Sequence, residues 1–198
     1  WIVGNFIGVN AAGTAGLGNG FNGVYIGGGV DNRIGGTNPG QGNVISGNGT
    51  TASASDVYAG VYANNSSNLT IAGNTIGLAA DQTASLGNVR DGIYLFCTTT
   101  ATIGGTTSAS RNVISGNGSY GVLSANSGTT TISSNYVGLA ADGTTARGNS
   151  SDGISCGTGT CTITSNVIGA NSGDGVSISA GTGSSVKGNS IGTDATGL

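Results

Sequence analysis

The chain has 198 residues with 41 glycines, a net charge of −3, no histidine and 7% charged residues, and its basic residues (Arg33, Arg90, Arg111, Arg147, Lys187) are scattered. Scattered cations exclude the basic stripe of a nucleic-acid binder, and no apolar run approaches the roughly 20 residues of a membrane span. So much glycine usually signals disorder, yet 36% of residues are hydrophobic and many are single Val or Ile residues at fixed offsets, which points to an ordered all-β chain.

In chain order, Trp1-Ile2-Val3 opens the sequence as a strand, and Asn5-Phe6-Ile7 follows it after a corner. From Gly23 onward three kinds of short segment recur in fixed order. The first is Gly-Val/Ile-x-x, at Gly23, Gly60, Gly92, Gly121, Gly153 and Gly175. The second carries a lone apolar residue, in the column Ile2, Ile34, Ile71, Ile103, Ile132, Ile163 and Val186. The third is Asn-x-Ile/Val, beginning at Asn5, Asn43, Asn74, Asn112, Asn135, Asn166 and Asn189. From the Gly to the lone apolar residue the offset is 11 in five cases and 10 in one, and from there to the Asn it is 3 in five cases and 9 in two. The shortest full repeat is 22 residues and the others run to 37, so only loop insertions vary.

Three short strands per repeat with no helix describe one coil of a parallel β-helix, or β-solenoid, in which equivalent positions stack about 4.8 Å apart. About six coils are expected, as one domain over residues 1–198. Alternation places Val24, Val61, Ile93 and Val176 inward. The Asn column is expected to take the left-handed backbone of a sharp corner and to form an amide ladder along the axis. Long insertions follow Asn5, Asn74 and Asn135, so one face bristles at every second coil. No polar cap is evident at either end, so the chain reads as a segment of a longer solenoid or as a subunit whose copies stack end to end.

The segments Gly73-Asn74-Thr75-Ile76-Gly77, Leu86-Gly87-Asn88, Thr102-Ile103-Gly104-Gly105-Thr106 and "RNVISGNG" from Arg111 resemble repeats of large bacterial cell-surface and secreted proteins. Those repeats belong to the right-handed parallel β-helix, or pectin-lyase-like, superfamily. The resemblance covers essentially the whole chain. It implies a right-handed coil, an extracellular or cell-surface location, and a first sheet, built from the Gly-Val/Ile segments, on which the superfamily's enzymes keep their substrate cleft. It is specific for fold rather than function, because the fold hosts lyases, hydrolases, adhesins and passive stalks.

Several residues are candidates for chemistry. Asp152 and Asp174 precede glycines on adjacent coils beside the first sheet, where paired carboxylates suit acid–base work on a glycosidic bond or Ca²⁺ binding. The competing reading is an Asp that closes a turn through its own side chain. Asp81 and Asp142 hold one place in a repeated Ala-Ala-Asp-x-Thr loop, Asp194 lies near it in the last loop, and all three read as loop braces. Tyr25, Tyr62 and Tyr94 share one outward position on three successive coils, either as a sugar-stacking platform or as a cross-coil stack. Thr70, Thr102, Thr131 and Thr162, with Ser185, form an outward column of the kind ice-binding solenoids use. Cys156 and Cys161 face inward at the two ends of one turn, as a disulfide or as packed thiols, and Cys97 is left over. No resident cofactor is expected. The function expected is a non-enzymatic structural or adhesive rod, with self-stacking and glycans as the partners to consider. The alternatives are a carbohydrate-binding or polysaccharide-processing β-helix using Tyr25, Tyr62, Tyr94, Asp152 and Asp174, and an ice-binding solenoid.

Overall fold

The structure is a computed structural model that describes residues 1–51 and 57–198. The chain winds as a parallel β-helix of three sheets with six, six and seven strands. The first sheet stacks Val24–Gly27, Ala59–Asn64, Asp91–Phe96, Val122–Ala125, Ile154–Cys156 and Val176–Ile178. The second stacks Arg33–Gly35, Leu69–Ala72, Thr100–Gly104, Thr129–Ser133, Thr160–Thr164 and Ser185–Lys187. The third holds seven two-residue strands, from Phe6–Ile7 to Ser190–Ile191. Every pairing between named strands is parallel and joins equivalent positions of successive coils; Ile34 lies beside Ile71, and Ile132 beside Ile163.

Register is fixed by what each strand buries, because a slip of one residue would exchange inward and outward faces. Ile34, Ile71, Ile103, Ile132 and Ile163 on the second sheet, and Ile45, Ile76, Ile114, Val137 and Ile168 on the third, have no exposed surface. Val61, Ile93, Val122 and Ile154 close the core from the first sheet. Each such side chain is worth about 1.5–3 kcal/mol of burial, so the columns carry most of the fold's driving force. Ile178, Val186 and Ile191, in the last coil, remain 38%, 40% and 44% exposed.

The long insertions fold into small hairpins at the corner after the third sheet. Val9 pairs antiparallel with Gly16, Leu78 with Ser85, and Leu139 with Ala146. The first two hairpins touch across the intervening coil, with Ala80 N–H donating to the Gly13 carbonyl, and the last loop meets the third hairpin with Ala195 N–H donating to the Gly143 carbonyl, at 2.9 Å each. They also change the environment beneath them. Val44 and Val113 point away from the core but are only 7% and 4% exposed. Ala80 and Gln82 of one hairpin line the cavity over Val44, and Gln82, Ala109 and Ala141 surround Val113.

Candidate functional sites: the asparagine ladders and the aromatic face

Asn5, Asn43, Asn74, Asn112, Asn135, Asn166 and Asn189 form one continuous ladder along the third-sheet corner. In each step one side-chain oxygen accepts both the backbone N–H and the side-chain amide of the preceding Asn. For Asn135 accepting from Asn112 the distances are 3.1 and 2.9 Å. The Asn135 amide in turn donates to Asn166 Oδ1 and to the carbonyls of Ile103 and Ser133 at 3.0 Å each. A buried amide costs free energy unless its bonds are made, and here they are made.

The expected left-handed backbone falls elsewhere. None of the ladder asparagines has positive φ. In five coils the residue before the Asn takes it, Gly4, Gly73, Ser134, Ser165 and Gly188 having φ between 57° and 72°; in the two coils with an insertion before Asn43 and Asn112 it falls on Gly35 and Gly104, right after the core Ile. The corner's backbone reversal thus rests on a small residue, which frees the Asn to keep the extended geometry that aims its amide along the axis.

A second ladder went unrecognised in the sequence. Asn19, Asn48, Asn88, Asn117, Asn149 and Asn171 repeat the same bonding at the corner that leads back to the first sheet, with side-chain steps of 2.8–3.0 Å. Its signal is present: from each first-ladder Asn to the next second-ladder Asn the offset alternates between 14 and 5. The difference is the length of a hairpin. The glycines of the Gly-Val/Ile segments belong to this ladder, since a Cβ on Gly60 would lie 2.6 Å from Asn88 Nδ2 and one on Gly92 2.8 Å from Asn117 Nδ2.

Several carboxylates accept backbone N–H groups, whereas that of Asp174 is exposed. Asp152 Oδ1 accepts the N–H of Asp174 at 2.9 Å, one coil on. The same column contains Asn22 accepting from Ala59 at 2.8 Å and Asp91 accepting from Tyr120 at 3.1 Å, so a side-chain acceptor recurs on alternate coils. Asp91 is 3% exposed, and burial raises its carboxyl pKa above the ordinary value. The hairpin aspartates behave as braces. Asp142 accepts from the Thr145 hydroxyl at 2.6 Å and from the N–H groups of Thr144 and Thr145, which lowers its pKa to about 2. Thr83 N–H and Thr196 do the same for Asp81 and Asp194, and lower theirs too. Among the described residues no group of three His, Cys, Asp or Glu side chains is placed to hold a metal ion. Asp56 lies outside them.

Tyr25, Tyr62 and Tyr94 are in register and form a stack, with ring centroids 5.4 Å apart at the first step and 5.0 Å at the second. The stack is graded. Tyr25 is 56% exposed and Tyr62 half-buried, but Tyr94 is only 8% exposed, because the rings of Tyr62 and Phe96 cover it. Burial raises the pKa of Tyr62 and Tyr94 above the ordinary phenol value. Phe21 and Tyr58, 5.0 Å apart, extend the aromatic surface beside Tyr25, and nothing in the repeat pattern had marked them.

Two further predicted features have definite places. Cys156 and Cys161 are disulfide-bonded, and Cys97 is a half-buried free thiol. The threonine column is wider than the sequence reading allowed. Thr100, Thr129 and Thr160 stack beside Thr102, Thr131 and Thr162, so three coils carry an outward Thr-x-Thr pair. Thr100 accepts the Asn68 N–H, and Thr160 donates to the Thr182 carbonyl.

No family model matches the chain, and no similar curated protein or solved structure was found.

Proposed function

We propose that the chain is a non-enzymatic β-helical rod, a structural or adhesive element of an extracellular or cell-surface protein or filament. The observation that carries this reading is how the polar side chains are used. Both asparagine columns and the Asp152 carboxylate are bonded to neighbouring coils, and the hairpin aspartates to their own loops. Groups held this way stiffen a scaffold and have little left for a substrate. The Asp152–Asp174 pair favoured by the polysaccharide-processing alternative is joined side chain to main chain, which suits a turn closure better than a general acid facing a general base.

Two features support the rest of the proposal. The Cys156–Cys161 disulfide suits an oxidising, extracellular setting. The ladders are directional, each amide donating towards the next coil, so a further coil, from this chain or from another copy, extends the same bonds in one sense only.

The test is product release from a polysaccharide panel that includes polygalacturonate, with and without Ca²⁺. The rod reading expects none. Cleavage that Asp152→Ala and Asp174→Ala both abolish would contradict it and favour the processing alternative.

A further inference from the structure

We infer that the aromatic cavity on the first two coils is a binding site for the pyranose ring of a neutral glycan. The cavity, of about 380 Å³, is lined by Phe21, Asn22, Tyr25, Tyr58, Tyr62 and Asn64. That lies within the roughly 300–1,000 Å³ of small-ligand sites, and the mix of aromatic walls with a few amides and hydroxyls is what such sites use to hold and orient a ligand.

Geometry separates this place from the rest of the stack. Tyr94 is closed over, whereas Phe21 and Tyr25 are 61% and 56% exposed. The Tyr25 ring lies down along its own strand, over Gly27, where an added Cβ would come within 2.9 Å of it. A glycine there leaves room for the ring over the strand, and Tyr25 keeps 56% of its surface exposed for stacking against the C–H face of a sugar.

Polar groups at the rim are uncommitted. Asn22 uses its oxygen on the Ala59 N–H, and no bond is made by its amide nitrogen among the described residues. Asn64 Oδ1 is buried with no hydrogen-bond partner, an unfavourable state for an amide oxygen that a ligand hydroxyl relieves once the terminal amide turns toward the cavity. Among the described residues no Asp, Lys or Arg lines the cavity. A uronate carboxylate would therefore be desolvated without a counter-charge, and the ring that fits is neutral.

The inference rests on the reading of the chain as a rod that adheres, and supplies what it adheres to. Isothermal titration calorimetry of the full chain with cellotetraose, mannotetraose and tetragalacturonate tests it. At least one neutral tetrasaccharide should bind. Tyr25→Ala should weaken binding by about tenfold or more, while its thermal midpoint falls only by the few degrees that losing one ring pair costs. Gly27→Ala should weaken it by displacing the ring. Binding of neither neutral ligand at millimolar concentration, undiminished binding by Tyr25→Ala, or binding of tetragalacturonate alone would each overturn the site while leaving the rod intact. Cleavage of any of the three would instead contradict the rod.

Discussion

Asp91 and Asn22 occupy one column two coils apart and do one job, accepting a backbone N–H from the coil that follows. They differ in charge. Asp91 is buried and its pKa is raised, so its folded state holds a proton more tightly than the unfolded chain. The stability tied to it is therefore full below the ordinary carboxylate pKa and is lost as pH rises through the elevated folded value. Asp91→Asn keeps the acceptor and removes the buried charge. Its thermal midpoint should lie above that of the native chain at pH 7, and the two should converge near pH 3. A midpoint lowered equally at both pH values would mean that the carboxylate itself is required. At this scale the sequence was legible where one residue type recurred at a fixed offset, as for Asn43 or Ile71. It was not legible for backbone dihedrals. Asn135 was read as the left-handed residue, but Ser134 takes that conformation and Asn135 keeps negative φ.

The coil is the element, and each corner has its own fastening. The third-sheet corner has the first asparagine ladder and the return corner has the second. The corner between the first and second sheets has hydroxyls instead, with Ser66 against Thr98 and Thr98 N–H donating to Ser127. On the fifth coil the disulfide spans this turn, between residues five apart in sequence. Closing so short a loop stabilises by about 2 kcal/mol on the chain-entropy model. Cys156→Ser/Cys161→Ser should cost that order of stability in urea unfolding, with the m-value unchanged. A loss several times larger would mean that the bridge sets the fold of the coil. The strands were legible because inward residues alternate and the Gly-to-Ile offset hardly varies. The second ladder was hidden because hairpins separate its members from the first by 14 or 5 residues in turn, although equal positions meet in space. The aromatic cavity was hidden for a different reason. Phe21 and Tyr58 sit in loops outside the repeat, and only folding brings them beside Tyr25.

Over the whole molecule, apolar columns drive collapse and the two ladders choose the register, because a slipped coil would leave a row of buried amides without partners. The NVISGNG stretch, which occurs at both 43–49 and 112–118, shows the division of labour. Asn43 and Asn48 supply one rung to each ladder, and Ile45 fills the core. Ser46 donates to the Leu78 carbonyl at 2.7 Å and accepts the Gly77 N–H at 3.0 Å, while Gly47 takes positive φ at the bend. Every polar side chain of the motif is thus used within the scaffold, which is why a recurring motif here reads as architecture. Hydrogen–deuterium exchange of the asparagine side-chain amides, followed by NMR, tests that claim most directly. The account predicts that the amides of Asn74, Asn112, Asn135, Asn88 and Asn117 exchange as slowly as the core backbone of the strands they join. Exchange of these amides at the rate of Asn10, whose amide bonds only to Thr14 in an exposed hairpin, would contradict it.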